Sequence, residues 1–284
     1  MWDGLFWKVT AMLDLIREML SYPFMLRALA VGVLVSLCAA LLGVSLVLKR
    51  YSMIGDGLSH VGFGALAIAA VANLSPLKVA IPVVVIAAFF LLRLSENSRL
   101  KGDSAIAVIS TSALALGVLV ISAGRGVNTD VYNYMFGSIY AMSGEDVILS
   151  VILSAVVLVL FLLFYTRIFA VTFDETFARA SGVRAGVYNM LIAALTAVTI
   201  VLGMRMMGAM LISALIIFPA LTAMRLFKTF RGVVIASAVI AVTCFVTGIT
   251  LSYAFDAPGG ASVVAVNLAA MLIFSAIGAL RGRK

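Results

Sequence analysis

The fold class this sequence predicts is an all-α, polytopic integral membrane protein with eight or nine transmembrane helices. Three observations carry that expectation. Hydrophobic residues make up 64% of the 284-residue chain. Charged residues make up only 11%, against about 25% in ordinary soluble domains. Long apolar runs recur from Leu26 to Leu280, each near the ~20 residues that cross ~30 Å of hydrocarbon. A helix satisfies its own backbone hydrogen bonds in lipid. The runs are continuous rather than alternating, which argues against a transmembrane β-barrel.

Residues 1–25 do not read as a cleaved signal peptide, because the apolar stretch between Lys8 and Arg17 is short and the region carries Asp3, Asp14 and Glu18. Leu5 to Leu20 reads as an amphipathic helix lying in the membrane interface. The transmembrane domain follows over residues 26–284. Nine apolar segments are read at about 26–48, 56–72, 78–92, 104–123, 147–165, 188–203, 207–224, 232–253 and 262–280. The third, sixth and seventh are short, so two of them are candidates for broken or re-entrant helices, and eight crossings remain possible. Cys38 and Cys244 lie far apart inside apolar segments, form no disulfide framework, and read as packing residues.

A net charge of +8 would ordinarily raise the question of nucleic acid. Here the basic residues sit in short loops between apolar runs, so they read as orientation signals instead. Lys49 and Arg50, Arg93, Arg99 and Lys101, Arg167, Arg179 and Arg184, Arg225, Lys228 and Arg231, and Arg281, Arg283 and Lys284 fall in alternate loops and the C-terminal tail. These are fourteen of the twenty basic residues. The intervening loops carry only Lys78, Arg125 and Arg205. The positive-inside rule then places the odd loops and the C-terminus in the cytoplasm, and nine crossings put the N-terminus outside.

The one histidine, His60, stands four residues after Asp56 in an apolar stretch. Residues i and i+4 share a helix face, so the two side chains can close on one divalent cation. Counting from Arg50 at the cytoplasmic boundary, Asp56 lies roughly 9 Å and His60 roughly 15 Å along a helix, the latter near the bilayer midplane. Ionisable groups at that depth mark transport pathways. The plainer reading is a hydrogen-bonded pair that fixes helix packing. Gly55, Gly57, Gly62 and Gly64 leave little bulk nearby and permit close helix approach or a local break. A carboxylate and an imidazole suit zinc, manganese or ferrous iron. The imidazole must be neutral to bind, so acid should weaken the site.

Other polar and sulfur groups receive more ordinary readings. Asp103 is expected to cap the fourth segment, and Met204, Met206, Met207 and Met210 to pack. Pro219 is expected to kink the seventh segment, and Asn267 to bond between helices. Asp256-Ala257-Pro258-Gly259 reads as an external turn that can also receive a binding protein. The chain has no G-x-x-x-x-G-K-[ST] loop, so it should not hydrolyse ATP itself. H-E-x-x-H, G-x-S-x-G, a ladder of arginines and T-V-G-Y-G are likewise missing.

The fifth loop, about 166–187, reads as a short amphipathic helix of about ten residues. Thr172-Phe173-Asp174-Glu175 has capping-box spacing. Asp174 and Glu175 favour the first turn, and Gly182 suits the C-terminal stop. Phe173 and Phe177 share a face. This helix either lies on the membrane or docks a cytoplasmic partner, with the two rings as anchors and Arg179 at the rim.

Several stretches resemble, in order, those of the ABC-3, or ZnuB-like, family of membrane permeases of ABC importers for zinc, manganese or iron. They are Leu48 to His60, with Gly55-Asp56 and Ser59-His60; Lys101-Gly102-Asp103-Ser104-Ala105-Ile106; Phe173 to Gly182; and Gly208 to Ala223, with Pro219-Ala220. Ser252 to Ala261 is similar more loosely. Lys49 stands where many relatives have arginine, a departure expected to matter little, and Val61-Gly62-Phe63-Gly64 replaces a common proline-containing run. The resemblance implies a homodimeric permease that is not itself an enzyme and holds no permanent cofactor. It also implies that the permease binds ABC ATPase subunits and receives metal from an extracytoplasmic binding protein. Asp56 and His60 would then touch the transported metal. Phe173, Asp174, Glu175, Phe177, Arg179 and Gly182 would form the ATPase dock. Such importers belong to the plasma (inner) membrane of prokaryotes. Two other functions compete: a secondary transporter with Asp56 and His60 as a proton relay, and an ABC permease for a metal chelate. A single Asp–His pair favours the bare ion over a chelate.

Overall fold

A computed structural model describes residues 17–97, 102–124, 137, 143–209 and 211–280. The interfacial helix expected over Leu5 to Leu20 lies mostly outside these residues, as do Arg99, Lys101, Arg125, Met210 and the basic tail 281–284. The described chain is helical without strands. Its helices are α1 (Pro23–Leu48), α2 (Ser52–Val71), α3 (Pro76–Asn97), α4 (Gly102–Ala123), α5 (Gly144–Leu163), α6 (Tyr165–Phe173), α7 (Glu175–Ala180), α8 (Ala185–Met207), α9 (Ile212–Leu226), α10 (Phe230–Phe255) and α11 (Gly259–Leu280).

Eight of these are long and apolar enough to cross a membrane. The third and sixth apolar segments, expected to be short, grow into helices of 22 and 23 residues. Their helices run past the apolar stretch into charged flanks at Arg93 and Arg205, which hydropathy alone cannot follow. Only the seventh segment stays short, as the 15-residue α9. At ~1.5 Å per residue it spans roughly 22 Å, so its N-terminal turn must start below the membrane surface. That turn is covered by protein. Gly208 adopts φ +89°, a conformation that favours glycine. A Cβ on Gly137 would come within 2.4 Å of the Met206 carbonyl oxygen, and one on Gly260 within 2.5 Å of the Met207 carbonyl oxygen. Irregular backbone at membrane depth is tolerated where it is buried in this way.

The helices sort into a centre and a periphery. The apolar stretches of α1 and α2 are 72% buried, against 17% in α4 and in α11. Outward residues such as Leu116, Leu119, Leu163 and Leu272 are exposed apolar groups, the surface a bilayer solvates. Small residues set the closest contacts: a Cβ on Gly43 of α1 would lie 2.0 Å from the Ile216 carbonyl oxygen of α9, and one on Gly248 of α10 would lie 2.5 Å from Val263 Cα of α11. This is small-residue packing between membrane helices. Cys38 and Cys244 are buried free thiols, and the Cys38 Sγ–H reaches the Ser154 carbonyl, which agrees with a packing role. Met204, Met206 and Met207 are likewise buried.

Two sequence expectations need correction. Arg205 is not a loop charge but lies in the last turn of α8, where it donates to Asp146 Oδ2 at 3.0 Å. Asp146 in turn closes a capping box with Ser143 at the start of α5. Asn267 bonds within its own helix, donating to the Val263 carbonyl at 2.9 Å, because a short amide reaches the carbonyl one turn back more easily than a neighbouring helix. Asp103 falls in α4, with a side chain outside the described set, and Pro219 stands inside α9 without ending it.

The Arg205–Asp146 pair gives a stability prediction. Both side chains are little exposed, and removing one partner of a buried pair leaves an uncompensated charge. Arg205→Met should cost about 3–5 kcal/mol. It should appear as a lower thermal midpoint in detergent, largely restored in the double variant with Asp146→Asn.

Candidate functional site

The candidate site is built on α2, a helix continuous from Ser52 to Val71. Its glycines make no break, and three of them, Gly57, Gly62 and Gly64, are close contact points. A Cβ on Gly57 would meet Ile106 at 2.7 Å, one on Gly64 the Ala113 carbonyl oxygen at 2.8 Å, and one on Gly62 the Met204 sulfur at 2.7 Å. Gly57 and Gly64 thus press α2 onto α4, and Gly62 presses it onto α8. These close approaches seat α2 against α4 and α8 and set the face that carries Asp56 and His60.

On that face His60 Nε2 and Asp56 Oδ2 stand 3.6 Å apart. That is too long for a hydrogen bond. It is close to the roughly 3.4 Å between two donors that share one tetrahedral ion at bond lengths of about 2.1 Å. The Asp56 side chain is 39% exposed and that of His60 16%, so the pair opens outward from the helix packing. The other carboxylate oxygen, Oδ1, accepts from the Ser213 hydroxyl of α9 at 3.4 Å. Ser59 donates to the Asp56 backbone carbonyl at 2.7 Å. His60 Nδ1 is buried with no hydrogen-bond partner. Among the described residues no group of three or more His, Cys, Asp or Glu side chains is assembled that could hold a metal. One chain therefore offers two strong donors and a hydroxyl.

Ser213 escaped sequence reasoning, since nothing in Met210 to Ala214 marks a serine 157 positions away as Asp56's partner. A group that orients a ligand is typically worth about tenfold in metal affinity. If Asp56 is a ligand of the transported metal, as the resemblance implies, Ser213→Ala should raise the half-saturating metal concentration for uptake by about that factor while leaving maximal uptake intact, as read from initial rates across a metal titration.

The fifth loop forms two helices rather than one. α6 runs to Phe173, and Asp174, not Thr172, is the N-cap: its Oδ1 accepts from the Phe177 backbone N–H at 2.9 Å. Thr172 is buried at the end of α6, so its hydroxyl cannot turn toward the new helix. The cap starts α7, which has six residues rather than about ten. Gly182 has φ +82°. The Gly182 N–H bonds to the Arg179 carbonyl and the Val183 N–H to the Ala178 carbonyl, a Schellman stop of the kind Gly182 was expected to supply.

The residues expected to dock a partner divide into two sets. Phe173 and Phe177 are 77% and 68% exposed. Glu175 turns back toward the membrane domain: its Oε2 accepts from Lys49 Nζ at 3.0 Å and from Asn189 Nδ2 at 3.1 Å, and its Oε1 accepts from Arg179 at 2.6 Å. Burial pushes the Glu175 carboxyl up, but the hydrogen bonds from Asn189, Lys49 and Arg179 outweigh it and bring the pKa down to about 2. A depressed value contributes stability above the ordinary carboxylate range, lost only as pH falls toward 2. The clasp therefore holds throughout the physiological range. Lys49, whose difference from arginine was expected to matter little, is its centre.

Residues 21–278 match the model of the ABC 3 transport family, and the chain belongs to that family. It is 30% identical over 249 residues to the manganese transport system membrane protein MntC of Halalkalibacterium halodurans, covering 88% of this chain and 85% of that protein. It is 34% identical over 263 residues to a probable iron transport system membrane protein of Haemophilus influenzae, covering 92% and 93%. It is 30% identical to the high-affinity zinc uptake system membrane protein ZnuB of Haemophilus influenzae, covering 86% and 93%. Among solved structures, PsaBC from Streptococcus pneumoniae in complex with Fab superposes with a TM-score of 0.83 at 28% identity, covering 92% of this chain and 94% of that one.

Proposed function

We propose that this chain is the membrane permease of an ABC importer for a divalent transition metal, and that Asp56 and His60 contact the ion in transit. The observation that carries this reading is the 3.6 Å approach of a carboxylate and an imidazole on a helix face that also reaches Ser213, within the fold of a transport family. Relatives named for manganese, zinc and iron support the substrate class. Such a site suits the ion rather than a bulky chelate.

Two donors per chain are too few for zinc, which prefers four. A two-fold dimer brings two Asp56 and two His60 groups to one axis and completes the set. The ion compensates the Asp56 carboxylates when bound, and water hydrates them when it has left. A transport site must also release, so it binds more weakly than a structural zinc site. ATP hydrolysis belongs to a separate ATPase subunit docked on the α6–α7 loop, and an extracytoplasmic binding protein delivers metal from the other side. The basic loops put that dock and the C-terminus in the cytoplasm, in the inner membrane of a prokaryote. A proton-coupled secondary transporter needs no ATPase dock, and membership of an ABC family weighs against it. The direct test is uptake of zinc, manganese and iron(II) by cells lacking their own importer, supplied with this chain and its partner subunits. Failure to restore uptake of any of the three would overturn the reading.

A further inference from the structure

Lys49 is a heavily engaged cation outside the candidate metal site. Its side chain is 8% exposed. All three ammonium donors are used: the Val171 carbonyl of α6 at 3.1 Å, Glu175 Oε2 of α7 at 3.0 Å and Asn189 Oδ1 of α8 at 2.8 Å. Nζ also lies 5.8 Å from the ring centre of Tyr51, the residue that opens α2. Three elements of the fifth loop and its exit helix thus converge on one side chain of the α1–α2 turn.

That turn is stiff. Arg50 adopts φ +61°, unusual without glycine. The Arg50 N–H bonds to the Val47 carbonyl and the Tyr51 N–H to the Leu46 carbonyl, a Schellman closure. From Lys49, α2 begins three residues on at Ser52, with Asp56 in its second turn and His60 one turn further. A displacement of α7 has a direct mechanical route through Lys49 into the first turn of α2. α7 also packs on α6 and α8 through Ala178, in a small buried apolar cluster with Val171, Val183 and Ala185, but that cluster includes no residue of the α1–α2 turn, so Lys49 supplies the polar link to it. Asn189 reinforces the link: it is 2% exposed and bonds both Lys49 and Glu175, so the clasp has three mutually bonded members. Its charges are partly screened from water, where one cation serving several acceptors is stronger than separate surface pairs.

We propose that Lys49 is a positioning residue that couples the docking helix to the metal-site helix, by tying Glu175 of α7 and Asn189 of α8 to the turn from which α2 starts. This rests on the proposed docking role of the α6–α7 loop. It adds a residue that touches neither metal nor ATPase and that sets how much metal moves per ATP.

The test uses the complete importer in proteoliposomes, with Mn²⁺ and Zn²⁺ each as probe, and measures ATP hydrolysis and metal uptake together. Lys49→Met should still co-purify with the ATPase subunit and hydrolyse ATP, with metal moved per ATP lowered about tenfold, within the usual range of coupling free energies. Lys49→Arg should restore most of that ratio, since guanidinium can reach the same acceptors. Glu175→Gln should lower it in the same direction by less, because Lys49 keeps two acceptors. An unchanged ratio in Lys49→Met would overturn the proposal. So would loss of the ATPase from that variant, which would make Lys49 part of the dock rather than of the coupling. Phe173→Asp separates the two ideas: if it keeps its ATPase subunit, the docking reading fails whatever Lys49→Met does.

Discussion

Alanine in place of either Asp56 or His60 should abolish metal uptake while leaving the complex assembled. In a two-fold dimer each substitution deletes two of four donors at once. The expected loss is therefore steeper than that of one ligand, at least about a hundredfold in uptake rate. The double variant should be no worse than either single one, because a metal held by half its ligands is already lost and the effects of groups acting as a unit do not add. Asp56→Asn is the sharper test. It keeps the size of the side chain and its capacity to accept from Ser213, so a pair that served only helix packing would tolerate it. A cation site would not, since the amide cannot supply the charge. Uptake of zinc, manganese and iron(II) in importer-deficient cells reads the result, with thermal stability in detergent as the control. Uptake by Asp56→Asn at the unaltered rate would return the pair to a structural role.

Much of this site was legible in the sequence because its information is local. Asp56 and His60 are one turn apart, and a helix brings them together whatever the rest of the chain does. Gly182 was legible for the same reason, since a helix stop needs a positive φ at one position. The limits appear where local signals compete or partners are distant. Thr172 and Asp174 both satisfy the preference for a short polar N-cap, and burial of Thr172 in α6 decided between them. The partners of Lys49 lie 122 to 140 residues away, and those of Arg205 and Ser213 lie 59 and 157 away. Hydropathy placed nine apolar segments in their proper order. It misjudged the ends of the third and sixth because charged residues continue a helix after the apolar run has stopped. For the seventh the apolar count was a sound guide: α9 is short because its approach is a buried turn at Gly208, held by close backbone contact at Gly137 and Gly260.

The second large effect is expected at the dock. Phe173→Asp and Phe177→Asp should each weaken association with the ATPase subunit by about thirtyfold or more, the factor that corresponds to ~2 kcal/mol for an aromatic anchor. Two rings more than two-thirds exposed on a loop between membrane helices cost free energy in water unless something covers them, and each can bury 150–250 Å², roughly. Phe173 is braced for such a role. Its ring lies 5.8 Å from that of Phe169, which lies 4.9 Å from Phe230 at the start of α10. A partner pressing on Phe173 therefore pushes on a packed aromatic row rather than on a free loop. Arg179 is different: it is exposed and already paired with Glu175, so Arg179→Ala should change association by no more than about fivefold, the ordinary yield of a surface ion pair. Co-purification with the ATPase subunit, with membrane insertion as control, measures all three. If the rings instead lie in the lipid interface, the aspartates would leave the ATPase attached and shift only the lipid dependence of stability, and the docking surface would have to be sought elsewhere on the cytoplasmic face.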